Sequence, residues 1–244
     1  MGIASAVVRA AANTTTGNQD FTASLGGLTP KGCVVFVTRA VADATAADHA
    51  LLFVGLYHDG SRGTDQGIAY QSRDGQASSQ VEIFQEAGSD IGFEVASQDA
   101  ADAAGSLSFI ADGIRINWTD APGSAYLVTV WLFAGSDLSA HSDNVTLPNV
   151  LNSSVDITAP GFEPDLVLLA CAGGSAISLG AAHNNRAGGV TQRASYLRSR
   201  NGRATMETYG GFENAYVGAI GGGGFTTDGN NKLEAGSFDA SGFS

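Results

Sequence analysis

The sequence predicts an all-β protein: two tandem jelly-roll-like antiparallel β-sandwich modules, the second lacking its final hairpin. Three observations predict it. The chain is only 15% charged and carries 33 glycines in 244 residues, a composition that suits short strands and tight turns better than long helices. Turn signals recur roughly every 8 to 12 residues, the spacing of a sandwich or barrel. One set of landmarks occurs twice, in the same order, about a domain length apart.

The strands are read first. Residues 33–37 (Cys-Val-Val-Phe-Val) and 166–171 (Leu-Val-Leu-Leu-Ala-Cys) are continuous apolar runs bounded by Pro and Gly. Such runs read as strands buried on both faces. Residues 81–84 and 114–118 alternate apolar with polar, as half-exposed antiparallel strands do. Tyr126, Val128 and Val130 face one way, with Leu127, Thr129 and Trp131 opposite. Trp118 and the strand from Tyr126 to Trp131 are expected to supply large side chains to the core. The dipeptides Asp74-Gly75 and Asn201-Gly202 accept the positive φ angles of a tight hairpin, and Asp112-Gly113 looks similar. No window offers a capped amphipathic helix; the Ala-rich stretch from Val41 to Ala50 holds one short turn at most.

The repeat sets the domain organisation. Gly27-Leu28-Thr29-Pro30 pairs with Gly161-Phe162-Glu163-Pro164, each leading into an apolar run. Gly55 to His58-Asp59 pairs with Gly180 to His183-Asn184, and Ser72-Arg73 with Ser199-Arg200. Phe109 to Gly113-Ile114 pairs with Phe238 to Gly242-Phe243. The offsets run from 125 positions at Gly55 to 134 at Gly27, a whole domain and not one solenoid repeat. The expected modules are residues 1–147 and 148–244. The first copy continues through Trp118 and the strand ending in Phe133, whereas the second stops at Ser244. The second module is therefore expected to leave an open edge after Phe243. About 20–40 further residues, two strands and a turn, would close it, or a neighbouring subunit would.

Charge and motifs narrow the chemistry. A net charge of −12 repels phosphate backbones, so no nucleic-acid partner is expected. No apolar stretch approaches the roughly 18 residues of a membrane span, so no membrane insertion is expected. Cys33 and Cys171 lie in apolar runs and read as buried free thiols. His58 and His183 occupy matching places, but neither has further ligands at metal-binding spacing, so no metal is expected. Ser89-Asp90 and Asp228-Gly-Asn-Asn231 offer oxygen atoms without the closing Glu of a calcium loop. Gly221 to Gly224 lacks the following Lys-Ser/Thr of a phosphate loop. No nucleophile elbow is present in the first copy, so no catalytic residue, no cofactor and no enzymatic activity are expected. Arg73 and Arg200, just before the hairpin glycines, are the candidate ligand or partner contacts, as guanidinium groups able to grip a carboxylate.

Three of these landmarks carry a resemblance. Gly161-Phe162-Glu163-Pro164, Ser241-Gly242-Phe243 and Tyr126 to Trp131 resemble the turns and strands of bacteriophage tail-fibre, receptor-binding and other virion surface proteins. Leu28 and Ile114 stand in the first copy where that pattern has Phe. The resemblance implies a lectin-like sandwich at the virion surface, a non-enzymatic tail or appendage protein acting in host attachment. Its implied partners are other virion proteins and a host surface glycan, in a homo-oligomer with a trimer favoured. Two other readings stay open: a capsid decoration (cement) protein, and a cellular carbohydrate-binding or adhesion module. Because the shared motifs are turns and core strands, the resemblance transfers no catalytic residue.

Overall fold

Low charge and period-two alternation leave the backbone one economical option, pairing strand to strand, and the structure takes it. The computed structural model describes residues 2–42, 50–60, 66–73, 80–85, 90–93, 103–146, 153–173, 176–186, 189–199, 208–213, 216, 218–219 and 232–244. The described residues form no helix; every regular element is a strand. The chain divides into two compact units, Met1–Asp74 with Phe84–Asn144, and Gly75–Ile83 with Val145–Ser244.

Ten strands precede residue 140: β1 (Ala4–Ala11), β2 (Gly17–Thr22), β3 (Gly32–Thr38), β4 (Ala50–His58), β5 (Gln66–Arg73), β6 (Gln80–Gln85), β7 (Ile91–Phe93), β8 (Ala103–Ile110), β9 (Gly113–Asp120) and β10 (Leu127–Ala134). One sheet runs in the order β1-β10-β3-β4-β5-β6, the other β2-β9-β8-β7. The first two strands thus pair with the last two, and a meander fills the rest of each sheet. One apolar core lies between the sheets. Val35, Val37, Phe53, Val128, Val130 and Leu132 enter it from the first sheet. Phe21, Phe93, Ile114, Ile116 and Trp118 enter it from the second. The Phe93 ring sits 6.1 Å from Phe53, 6.4 Å from Trp118 and 6.0 Å from Tyr126, distances at which aromatic edges and faces attract. Trp118 keeps its indole N–H satisfied by donating to Gln19 Oε1 at 2.9 Å. This is an antiparallel β-sandwich.

The hairpin between β8 and β9 departs from expectation at one residue. Ile110 pairs with Gly113, so the central turn residues are Ala111 and Asp112, and Asp112 alone of these takes positive φ, 61°. Asp112 Oδ1 accepts the N–H groups of Leu25 and Gly27, both at 2.8 Å, which offsets the left-handed backbone. Gly113 is required for another reason. A Cβ there would lie 2.1 Å from the Phe21 carbonyl oxygen of the neighbouring strand. The glycine permits a close approach of two backbones and does not supply a left-handed turn residue.

The second unit contains β11 (Leu166–Gly173), β12 (Ala176–Asn185), β13 (Gly189–Ser199), β14 (Thr208–Glu213), β15 (Gly218–Ala219), β16 (Lys232–Leu233), β17 (Phe238–Asp239) and β18 (Gly242–Phe243). β11 to β14 form a four-stranded meander. Their ladders reproduce those of β3, β4 and β5 residue for residue. Gly32 pairs with His58 and Leu166 with His183; Val35 pairs with Gly55 and Leu169 with Gly180; Gly55 pairs with Gly67 and Gly180 with Ala194. Gly161, like Gly27, has positive φ, 68° against 81°. Gly242 repeats Gly113: its Cβ would lie 1.6 Å from the Ile157 carbonyl oxygen. The β17–β18 pair and the Ile157–Phe243 bridge match Phe109–Ile114 and Phe21–Ile114. The landmarks legible in the sequence are therefore equivalent in pairing register and not only in order.

Two expectations for the second unit need correction. The run 166–171 is not buried on both faces: Leu166 is 49% exposed and residues 167–170 are half-buried. One cluster beneath it has Ala182 and Ala235 buried, with Val167, Leu169, Val190, Leu233 and Phe238 packed around them, and Cys171, Ala176, Ile177 and Ala194 are also buried in this unit. The open edge does not lie beside Phe243 either. Phe243 has β17 on one side and Ile157 on the other. The edge lies at β11, which among the described residues pairs with β12 alone.

Candidate functional site

The two arginines come first. Arg73 closes β5, but its side chain and the whole of Arg200 lie outside the described residues. So do Gly75, Asn201-Gly202, Ser89, the Gly221–Gly224 run and Asp228–Asn231. Asp90 is described, and its oxygens are occupied within the fold: Oδ2 accepts Leu107 N–H at 2.5 Å, and the carbonyl accepts the Tyr57 hydroxyl. Both cysteines are free and buried. Burial raises the Cys171 thiol to about 11, partly offset by a hydrogen bond with Ser178. The thiol is therefore neutral and unreactive at physiological pH.

The matching histidines have unlike surroundings. His183 is exposed at the end of β12. His58 is buried, and its Nδ1 lies 2.7 Å from Ser142 Oγ and 3.2 Å from the Ser142 amide. An amide can only donate, so Nδ1 is the acceptor and the ring proton resides on Nε2. The His141 ring packs tilted against the same ring, centroids 5.1 Å apart. Nearby, Lys31 Nζ donates to the Leu138 carbonyl at 2.6 Å. The cluster ties the segment after β10 to the ends of β3 and β4. A serine beside an imidazole is the first contact of a nucleophile–base pair, but here the serine's own backbone shares that nitrogen, and the arrangement is a clamp. Among the described residues no group of three His, Cys, Asp or Glu side chains converges as a metal site would require.

The feature that sequence reasoning misplaced is Trp131. Along β10, Val128, Val130 and Leu132 point into the core at 0% exposure, and alternation turns Trp131 to the opposite face, where it is 40% exposed. Trp131 is therefore no core residue. Its ring packs against Phe133 at 4.7 Å. On β1, Val7 lies directly opposite Trp131 and Ser5 opposite Phe133. Val7 is 62% exposed and Ile3, one step before the strand, 64%. Two adjacent strands thus present Ile3, Val7, Trp131 and Phe133 as one apolar surface on the outer face of the sheet. Exposed apolar side chains gathered on one face, unlike scattered ones, mark interaction surfaces. Period-two alternation was the signal that could have placed Trp131 here.

Fold and surface together define the class: an antiparallel β-sandwich bearing an exposed aromatic patch on a sheet face. Compared with protein-family models, with curated proteins and with solved structures, the chain matches none.

Proposed function

We propose that this chain is a non-enzymatic bacteriophage virion protein, a tail or surface appendage component that contributes to host attachment. Two lines support the reading. The turn and strand landmarks resemble those of virion surface proteins, and they are the residues on which both units' strand pairing depends. The observation that carries it is the exposed Trp131, packed against half-buried Phe133 and flanked by exposed Val7. An aromatic side chain held on a sheet face offers a large contact area at low entropic cost. It suits the C–H face of a sugar ring. The net charge of −12 disfavours anionic saccharides, which points to a neutral host-surface glycan.

A glycan array probed with the intact chain, beside Trp131→Ala, tests the binding half. The expected outcome is retention on neutral glycans, weakened about two- to tenfold in the variant, since aromatic contacts contribute about 0.5–1.5 kcal/mol beyond their area burial. Antibody labelling of intact particles tests the location. Label absent from particles, or equal glycan binding by both chains, would remove the basis of the proposal.

A further inference from the structure

We infer that the edge of β11 that no described strand covers is a self-association strand, on which a second copy of this chain pairs its own β11 antiparallel about a two-fold axis. This goes beyond the attachment reading and does not depend on what Trp131 contacts.

The backbone sets which groups face outward. Asn184 N–H donates to the Asp165 carbonyl at 2.9 Å, so Asp165 and Asn184 form a hydrogen-bonded pair. Antiparallel pairs alternate. The backbone groups of Val167, Leu169 and Cys171 therefore face β12, and those of Leu166, Leu168, Ala170 and Ala172 face away from it. In the first unit their equivalents, Gly32, Val34, Phe36 and Thr38, face β10, which occupies that edge along its length.

Exposed edges invite pairing with another chain unless charge, Pro or shortness protects them. The other long edge strands carry a charge: Arg9 in β1, Asp20 in β2, Glu82 in β6 and Glu213 in β14. β11, Leu-Val-Leu-Leu-Ala-Cys-Ala-Gly, carries none and no Pro over eight residues.

The occupant follows from what covers the equivalent edge. β10 is an eight-residue, uncharged, antiparallel strand. A second β11 has the same length and the same absence of charge, and a two-fold axis presents it antiparallel. With no polar side chain outside Cys171, self-pairing sets apolar residues or Gly opposite one another throughout. A patch that meets its own copy is isologous and closes at two subunits. The contact is thus a dimer, where the resemblance favoured a trimer.

Sedimentation equilibrium of the intact chain over a dilution series tests this. The expected result is the mass of two chains, falling to one on dilution. Ala170→Pro removes an outward N–H and leaves the β12 ladder intact. It should shift the chain to monomer with an unchanged far-UV spectrum. Should that variant misfold, Leu166→Lys at an exposed position should weaken the dimer about tenfold or more, by placing a charge on the edge strand against apolar residues of the partner strand. Trp131→Ala should leave the dimer unchanged. A monomer at every concentration, a trimer, or a dimer unmoved by Leu166→Lys would overturn the proposal.

Discussion

β3 and β11 are the same strand met twice, and they end in different environments. Both are apolar runs entered from a Gly-x-x-Pro turn, and both pair with the next strand in the same register. β3 has a neighbour on each edge and a full second sheet below, and Val35 and Val37 are 0% exposed. Among the described residues β11 pairs with β12 alone, and the described strands beneath it are short; Gly218 of β15 approaches Cys171 and Leu169. The difference teaches that an apolar run dictates a strand, while its burial depends on neighbours that the run itself does not encode.

The largest effect expected from this contrast separates the two cores. Trp118→Ala empties a 1%-exposed site and should destabilise the first unit by about 3–5 kcal/mol. Leu169→Ala, in the half-buried strand, should cost the second unit about 1–2 kcal/mol. Denaturant titrations of both variants check this, and equal losses would break the comparison.

Next come the two glycines that let backbones touch. Gly113→Ala and Gly242→Ala each force a Cβ onto a backbone carbonyl that cannot swing aside. A loss of about 3 kcal/mol is expected for Gly113, at the upper end for overpacking. Gly242 should cost less, because β18 is two residues long and can shift. Thermal melts of the pair would sharpen the equivalence of the hairpins; Gly113→Ala melting like the parent would contradict it.

The smaller effect is chemical. Burial raises the Cys171 thiol from 9.0 to about 11. A raised folded value means that its contribution is complete below pH 9.0 and is lost as pH rises towards 11. The loss is on the order of 2 kcal/mol. Cys171→Ala should flatten the stability profile over that window, as read by denaturation midpoints. An unchanged profile would place the thiol in solvent.

Much of the fold was legible because its signals are local. Alternation, Pro and Gly punctuation and the repeated landmarks placed the strands and made Gly55 and Gly180, or Phe109 and Phe238, equivalent before any coordinates. What was not legible depends on residues distant in sequence. The His58–Ser142 contact joins positions 84 apart and carries no motif. Gly113 reads as a turn glycine until the Phe21 carbonyl is seen beside it. Trp131 was assigned to the core by its size, although the alternation of its own strand turns it outward. The exposure of β11 depends on a neighbour that no described strand supplies, which no property of the run 166–171 announces.

The central claim, one framework built twice with one edge that no described strand covers, is tested most directly by amide hydrogen exchange at high dilution. Val34 and Phe36, hydrogen-bonded towards β10, should exchange slowly at every protein concentration. Leu168 and Ala170, their equivalents at the β11 edge, should exchange rapidly in dilute solution and slow as concentration rises. Equal, slow exchange of all four amides at the highest dilution would mean that the same chain already covers the β11 edge, and would contradict the account.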